Sequence, residues 1–144
     1  MKPILNVSFW SAVCAACLIA AAASQDTAWA DGCNQATIKG SYGFVFSGFD
    51  EGNGISPFTG VGPVTFDGKG NFSGSLLLGW PDTGSNGRVS GTYTVNADCT
   101  DSLNGTNGTN NFAFVIVSGG AEILMVNLTP GQSFTLDAKR IEAP

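Results

Sequence analysis

Beyond the first 30 residues, apolar and polar side chains alternate with a period of two, and no helical periodicity is present. Gly, Asn, Asp and Pro interrupt this alternation at short intervals. Such a pattern predicts short β-strands separated by turns. We predict eight strands, at Ile38–Gly48, Phe58–Phe66, Phe72–Trp80, Arg88–Val95, Cys99–Leu103, Phe112–Ser118, Ala121–Leu128 and Phe134–Ile141. The sequence therefore predicts an all-β protein.

Turn residues between the predicted strands indicate hairpins. Asp67–Asn71 joins the second strand to the third, and Thr129–Gln132 joins the seventh to the eighth. The first turn predicts three cross-strand pairs: Phe66 with Phe72, Val64 with Gly74 and Phe58 with Trp80. The second turn predicts three more: Leu128 with Phe134, Val126 with Leu136 and Leu124 with Ala138. Consecutive hairpins indicate an up-and-down antiparallel sheet.

An eight-stranded sheet with one apolar face is best closed, because closure removes both exposed edges. We therefore predict a closed eight-stranded antiparallel up-and-down barrel, with a β-sandwich of the same strands as the alternative. Four glycines fall inside predicted strands, where they permit the sharp bends that a barrel needs: Gly60, Gly62, Gly74 and Gly91.

The first 30 residues have the pattern of a secretory signal peptide. Lys2 provides the charged start, Val7–Ala23 is apolar, and Ala28-Trp29-Ala30 is a small-x-small cleavage site. A transmembrane anchor is the weaker alternative, because the apolar run is short for a span and a cleavage motif follows it. We expect cleavage after Ala30, which leaves Asp31–Pro144 as one secreted or periplasmic domain without a stable membrane anchor.

Two cysteines, Cys33 and Cys99, remain after this cleavage. An even pair in an oxidising compartment predicts one disulfide. A metal pair and free thiols are the alternatives, although two thiolates without a histidine make a poor zinc site.

The composition excludes several functions. The chain has no His, which excludes the common Ser-His-Asp and Cys-His nucleophile systems and His-ligated zinc or iron. Its net charge of −5 argues against a nucleic-acid partner, because phosphate binding needs clustered Lys and Arg. We predict no metal and no cofactor. The sequence gives no signal for oligomeric state.

Several residues are candidates for an interior ligand site. Phe44 and Phe114 belong to the predicted inward apolar set, and Tyr42 and Tyr93 lie in phase with it. Each phenol is a candidate hydrogen-bond donor to a ligand. The alternative is that each reaches a backbone carbonyl at the end of the barrel.

Two charged residues, Glu122 and Arg140, also lie in phase with apolar residues. The register predicted for the last hairpin places them opposite each other. They are either a structural ion pair at the rim or ligand-binding groups. In the second case Glu122 acts as an acid, base or acceptor, and Arg140 anchors a ligand carboxylate.

Four segments carry a family resemblance: Lys39-Gly-Ser-Tyr-Gly-Phe44, Val64-Thr-Phe-Asp-Gly-Lys-Gly-Asn71, Gly91-Thr-Tyr-Thr-Val-Asn-Ala-Asp-Cys-Thr100 and Ala138-Lys-Arg140. They resemble a group of uncharacterised exported bacterial proteins that are similar to the allene oxide cyclase-like barrel of the calycin-like set. The resemblance implies a closed eight-stranded antiparallel barrel with a hydrophobic cavity. Plant cyclases of that fold bind an unstable fatty-acid epoxide and steer its ring closure. No local motif carries their catalytic residues over, so the catalytic residues are unknown.

Three functions are compatible with these observations. The first is an exported barrel that binds a small apolar or amphipathic ligand in its interior. The second is an isomerase or cyclase of the allene oxide cyclase-like type, acting on a lipid-like substrate without His. The third is a structural or surface-adhesion module with a filled core. The volume of the interior distinguishes the first two from the third.

Overall fold

A computed structural model describes residues 32–52, 54–106 and 111–141. Eight strands form a closed antiparallel barrel in which each strand pairs with its neighbour in sequence and the last pairs with the first. The strands are β1 (Gly40–Asp50), β2 (Ser56–Phe66), β3 (Asn71–Trp80), β4 (Thr83–Tyr93), β5 (Thr100–Gly105), β6 (Asn111–Val117), β7 (Glu122–Asn127) and β8 (Gln132–Arg140). The predicted barrel is confirmed, and the sandwich is wrong. The predicted signal peptide lies outside the described residues.

The β2–β3 hairpin has the predicted register. Phe66 pairs with Phe72 and Val64 pairs with Gly74. The turn residue Asp67 sets this register, because one of its carboxylate oxygens accepts hydrogen bonds from the backbone N–H groups of Lys69 and Asn71 at 2.7 and 2.9 Å. These bonds, together with the Asn71 side chain, lower the pKa of Asp67 to about 2.

The predicted register of the β7–β8 hairpin is wrong by one residue. Ile123 pairs with Ala138 and Met125 pairs with Leu136. A shift of one residue exchanges the two faces of a strand. Consequently Ile123, Met125 and Asn127 point inward, whereas Leu124, Val126 and Leu128 are exposed.

Asn127 explains this shift. The Asn127 side chain is buried, and its amide group bonds to the backbone of the β7–β8 turn. Its Oδ1 accepts a hydrogen bond from the Thr129 N–H at 3.1 Å, and its Nδ2 donates to the Gln132 carbonyl at 3.2 Å. A buried amide with these partners costs little, because its polar atoms are satisfied. The inward-facing residues of β7 are therefore two apolar residues followed by the polar Asn127, whereas the predicted register has three apolar residues facing inward.

The in-strand glycines allow close approach between neighbouring strands. A Cβ atom at Gly91 would overlap the carbonyl oxygen of Asn104, and one at Gly60 would overlap the ring of Phe46. Glycine at these two positions therefore allows a neighbouring backbone or ring to come closer than any larger residue would allow.

One end of the barrel, which we call the sealed end, holds the most deeply buried side chains: Ile38, Tyr42, Phe66, Ile116 and Ile123. A 3₁₀ turn at Gln35–Ile38 precedes β1, and its Ile38 is fully buried. This turn was not predicted, because Ile38 was assigned to the first strand. The predicted disulfide Cys33–Cys99 is confirmed and ties this N-terminal segment to the start of β5, with 4.9 Å between the Cα atoms.

No helix among the described residues has the length and apolarity needed to cross a membrane.

Candidate functional site

An interior cavity of about 300 Å³ lies between the sealed end and the opposite end of the barrel. Its wall is largely apolar, and most of its side chains are buried. Six of the residues that line it are Phe44, Phe46, Val64, Phe72, Met125 and Leu136. A cavity of this size and composition is at the lower limit of the range for small-molecule sites.

An aromatic cluster lies at the end of the barrel opposite the sealed end. The Phe134 ring packs against those of Phe46, Phe58 and Phe112, with centroids 5.1–5.5 Å apart. The Trp80 ring stacks on Phe58 at 5.1 Å. Because three of these rings also line the cavity, the cluster limits the cavity on this side.

The seam between β4 and β5 has the fewest paired strand residues in the described barrel. Only three residue pairs join these strands, whereas ten join β3 to β4. The seam ends where the Thr106 N–H donates to the Ser90 carbonyl at 2.7 Å. From Thr83 to Val89, this edge of β4 pairs with no strand among the described residues.

The cavity reaches the surface at this seam. Arg88, Ser90 and Thr106 line the cavity and are exposed, whereas the other lining residues are buried or half-buried. We call these three residues the mouth. The Ser90 and Thr106 hydroxyl oxygens are 3.1 Å apart, and the Thr106 hydroxyl donates to the Ser90 carbonyl at 2.9 Å. The mouth is therefore polar, and its one charge is positive.

Arg140 lies at the sealed end, away from the mouth. Its guanidinium donates to the backbone carbonyls of Gly120, Lys39 and Thr37 at 2.9, 2.6 and 3.2 Å. It also donates to the Tyr42 hydroxyl at 2.7 Å and lies 5.0 Å from the centre of that ring. These bonds join the 3₁₀ turn and the β6–β7 connection to the barrel. The structure thus gives Arg140 five structural hydrogen bonds, and its predicted role as a ligand anchor stays a prediction.

Tyr42 and Tyr93 both direct their hydroxyl groups to backbone carbonyls. The Tyr42 hydroxyl donates to Gly120, and the Tyr93 hydroxyl donates to Gln35 at 3.0 Å. Burial raises the pKa of Tyr42, and the nearby Arg140 cation opposes that rise. Burial also raises the pKa of Tyr93. Both phenols therefore hold the sealed end together, as the structural alternative for these residues predicted.

Glu122 does not face Arg140. It pairs with Lys139 on the outer face of the barrel, and the Lys139 amine lies 3.5 Å from carboxylate oxygens of both Glu122 and Asp137. These two carboxylates raise the pKa of Lys139. The predicted Glu122–Arg140 pair is wrong, because it depended on the register that Asn127 shifts.

The two predicted phenylalanines are both buried, but only one lines the cavity. Phe44 belongs to the cavity wall. Phe114 is 5% exposed and lies in the core of β6, outside the described cavity lining.

Sequence reasoning missed the mouth. Arg88 was predicted as the first residue of a strand, yet β4 begins five residues earlier at Thr83. The polar run Thr83–Arg88 follows a tight turn and precedes an alternating strand, which is a pattern typical of an exposed edge strand. That pattern could have predicted that Arg88 lies beside an opening in the barrel wall.

No group of three or more Cys, Asp or Glu side chains in the described part of the chain is arranged to hold a metal ion. Comparison of the whole chain with protein-family models gives no match, and comparison with curated proteins also gives none.

Proposed function

We propose that this protein is an exported barrel that binds a small apolar or amphipathic molecule in its interior. The observation that carries the proposal is the cavity of about 300 Å³, which has an aromatic and aliphatic wall and reaches the surface at a polar mouth. Transfer of an apolar molecule from water into such a wall is favourable by about 25 cal/mol per Å² of buried apolar surface. The barrel is largely preformed, so little binding energy is lost to ordering.

The disulfide supports the location in this proposal. Disulfides persist in secreted and periplasmic proteins and are rare in the cytosol. Cys33–Cys99 is therefore compatible with an oxidising compartment. The signal-peptide pattern of the first 30 residues supports the same location.

The wall composition favours binding over catalysis. Within the described lining, Arg88 is the one ionisable side chain. Acid or base catalysis needs a titratable group within hydrogen-bond reach of the substrate. The isomerase or cyclase alternative, and with it the relationship to allene oxide cyclase-like barrels, therefore has the support of the barrel topology alone. The structural-module alternative predicts a filled core and has no support from the cavity.

Isothermal titration calorimetry with octan-1-ol tests the proposal on protein expressed as the full chain. We expect a single neutral molecule to bind per barrel. Val89→Phe adds a ring to the cavity wall, so it should weaken binding at least tenfold while lowering the free energy of unfolding by no more than about 1–3 kcal/mol.

Val45→Phe is the matched control, because it makes the same substitution on the outer face at a residue that is 56% exposed. It should leave octan-1-ol binding unchanged. If the unmodified protein binds no octan-1-ol, or if both variants bind it equally well, the interior does not act as the site.

A further inference from the structure

The size of the cavity limits its occupant. A volume of about 300 Å³ corresponds to the liquid volume of about ten water molecules. A ligand enclosed there therefore has about ten non-hydrogen atoms. A long acyl chain exceeds this volume, whereas a short chain or a single substituted ring fits.

The charge at the mouth selects among such ligands. Arg88 is exposed and lines the cavity, and its side chain makes no hydrogen bond or ion pair with any other residue that the structure describes. By contrast, Arg140 makes five hydrogen bonds and Lys139 lies close to two carboxylates. Arg88 is thus a cation with free donors beside an apolar space.

The rest of the mouth carries no negative charge. The Ser90 and Thr106 hydroxyl groups bond to each other and to the Ser90 carbonyl, so Arg88 supplies the free donors, and no Asp or Glu belongs to the described cavity lining. The protein as a whole carries a net charge of −5, so its overall field repels anions. A local guanidinium overcomes that repulsion at short range, and its planar donors match a carboxylate in two parallel hydrogen bonds.

We propose that the cavity binds a short amphipathic anion, such as a medium-chain or aromatic carboxylate. Its apolar part lies between Phe44, Leu103 and Leu136, and its anionic group lies at the mouth on Arg88. This inference rests on the proposed function, because it names the class of ligand for the same cavity.

Calorimetric titration with octanoate and with octan-1-ol tests the inference, because the two probes share a chain length and differ in charge. Arg88→Met should weaken octanoate binding about tenfold, the loss expected for one charge-assisted hydrogen-bond pair at a half-solvated site. The same variant should change octan-1-ol binding less than twofold. Arg88→Lys keeps the charge and should retain most of the octanoate affinity.

Lys69→Met is the matched control, since it removes one positive charge from an exposed turn at the sealed end. It should leave octanoate binding within twofold of the unmodified protein. Raising the salt concentration should weaken octanoate binding and leave octan-1-ol binding unchanged. Circular dichroism and a melting temperature for each variant establish that it is folded.

The outcomes separate the two proposals. If octan-1-ol binds and octanoate does not, or if Arg88→Met weakens both probes equally, the anion inference is wrong and the cavity proposal stands. If octan-1-ol does not bind the unmodified protein, both proposals fail, whether or not octanoate binds. If Lys69→Met weakens octanoate binding as much as Arg88→Met does, the effect comes from net charge, and the assignment of Arg88 is overturned.

Discussion

The sealed end and the cavity half of this barrel are built from the same alternating strands but use them differently. At the sealed end, Ile38, Ile123 and Ala138 have no exposed surface, and Arg140 bonds the turns to the barrel. In the cavity half, bulky rings surround empty space, and the seam between β4 and β5 is short. The comparison teaches that the most tightly packed region and the proposed binding site lie at different levels of one barrel axis, so a change in one should leave the other largely unaffected.

Loss of the disulfide should give the largest effect at the sealed end. Replacing Cys33 and Cys99 together by Ser should lower the free energy of unfolding by about 4 kcal/mol, because a closed loop of 66 residues restricts the unfolded chain. Urea denaturation measures this change. Octan-1-ol affinity of the folded variant should stay within twofold of the original, and a large loss of affinity would show that the two ends are coupled.

Equal truncations at the two ends should have unequal costs. Ile123→Ala leaves a new cavity in a fully packed region and should cost about 4 kcal/mol. Leu136→Ala enlarges a space that is already present and should cost about 2 kcal/mol, at the lower limit for such changes. Urea denaturation of both variants compares them directly. Equal costs would mean that the interior is packed alike at both ends.

Removing the guanidinium of Arg140 tests its structural role. Arg140→Met leaves the carbonyl groups of Thr37 and Lys39 without this donor, whereas the Gly120 carbonyl keeps its bond from the Tyr42 hydroxyl. The free energy of unfolding should fall by about 2–3 kcal/mol, since a charged donor to backbone carbonyls, those of Thr37 and Gly120 in part-buried bonds, is lost. Octanoate binding should remain. A loss of octanoate binding without a loss of stability would instead assign the predicted ligand-anchor role to Arg140.

A smaller effect is expected at alkaline pH. Burial raises the pKa of Tyr42 in the folded protein above the ordinary value of 10.0. As the pH rises above about 10, the unfolded chain releases the phenol proton first, so stability falls between that pH and the folded pKa. Thermal melts from pH 8 to 11 should therefore show a shallower alkaline decline in Tyr42→Phe. Identical slopes in both proteins would remove Tyr42 from this titration.

The sequence predicted the barrel and one hairpin register because local signals were sufficient there. The Asp67–Asn71 turn sets its register through bonds within five residues, and the alternation of β1 to β3 marks one face clearly. In β7 both faces are apolar from Ile123 to Val126, so alternation does not distinguish them. The bonds of the buried Asn127 decide between the two faces, and they form only in the folded turn.

The candidate site was harder to predict for a different reason. Residues that line the cavity come from all eight strands and from the connection after β5, and the mouth depends on where one seam ends. Arg140 and Arg88 look alike in sequence, since each lies at the end of an alternating strand. Tertiary contacts distinguish them: the carbonyl groups of the sealed end accept hydrogen bonds from the Arg140 side chain, whereas the Arg88 side chain has no partner among the residues that the structure describes.

The most direct test of the binding proposal is a crystal structure of the protein grown with octan-1-ol. We predict electron density for one alcohol molecule inside the barrel, in contact with Phe44, Leu103 and Leu136, with its hydroxyl group towards Arg88. A structure in which these side chains meet across the barrel axis and leave no space for the alcohol would contradict the proposal.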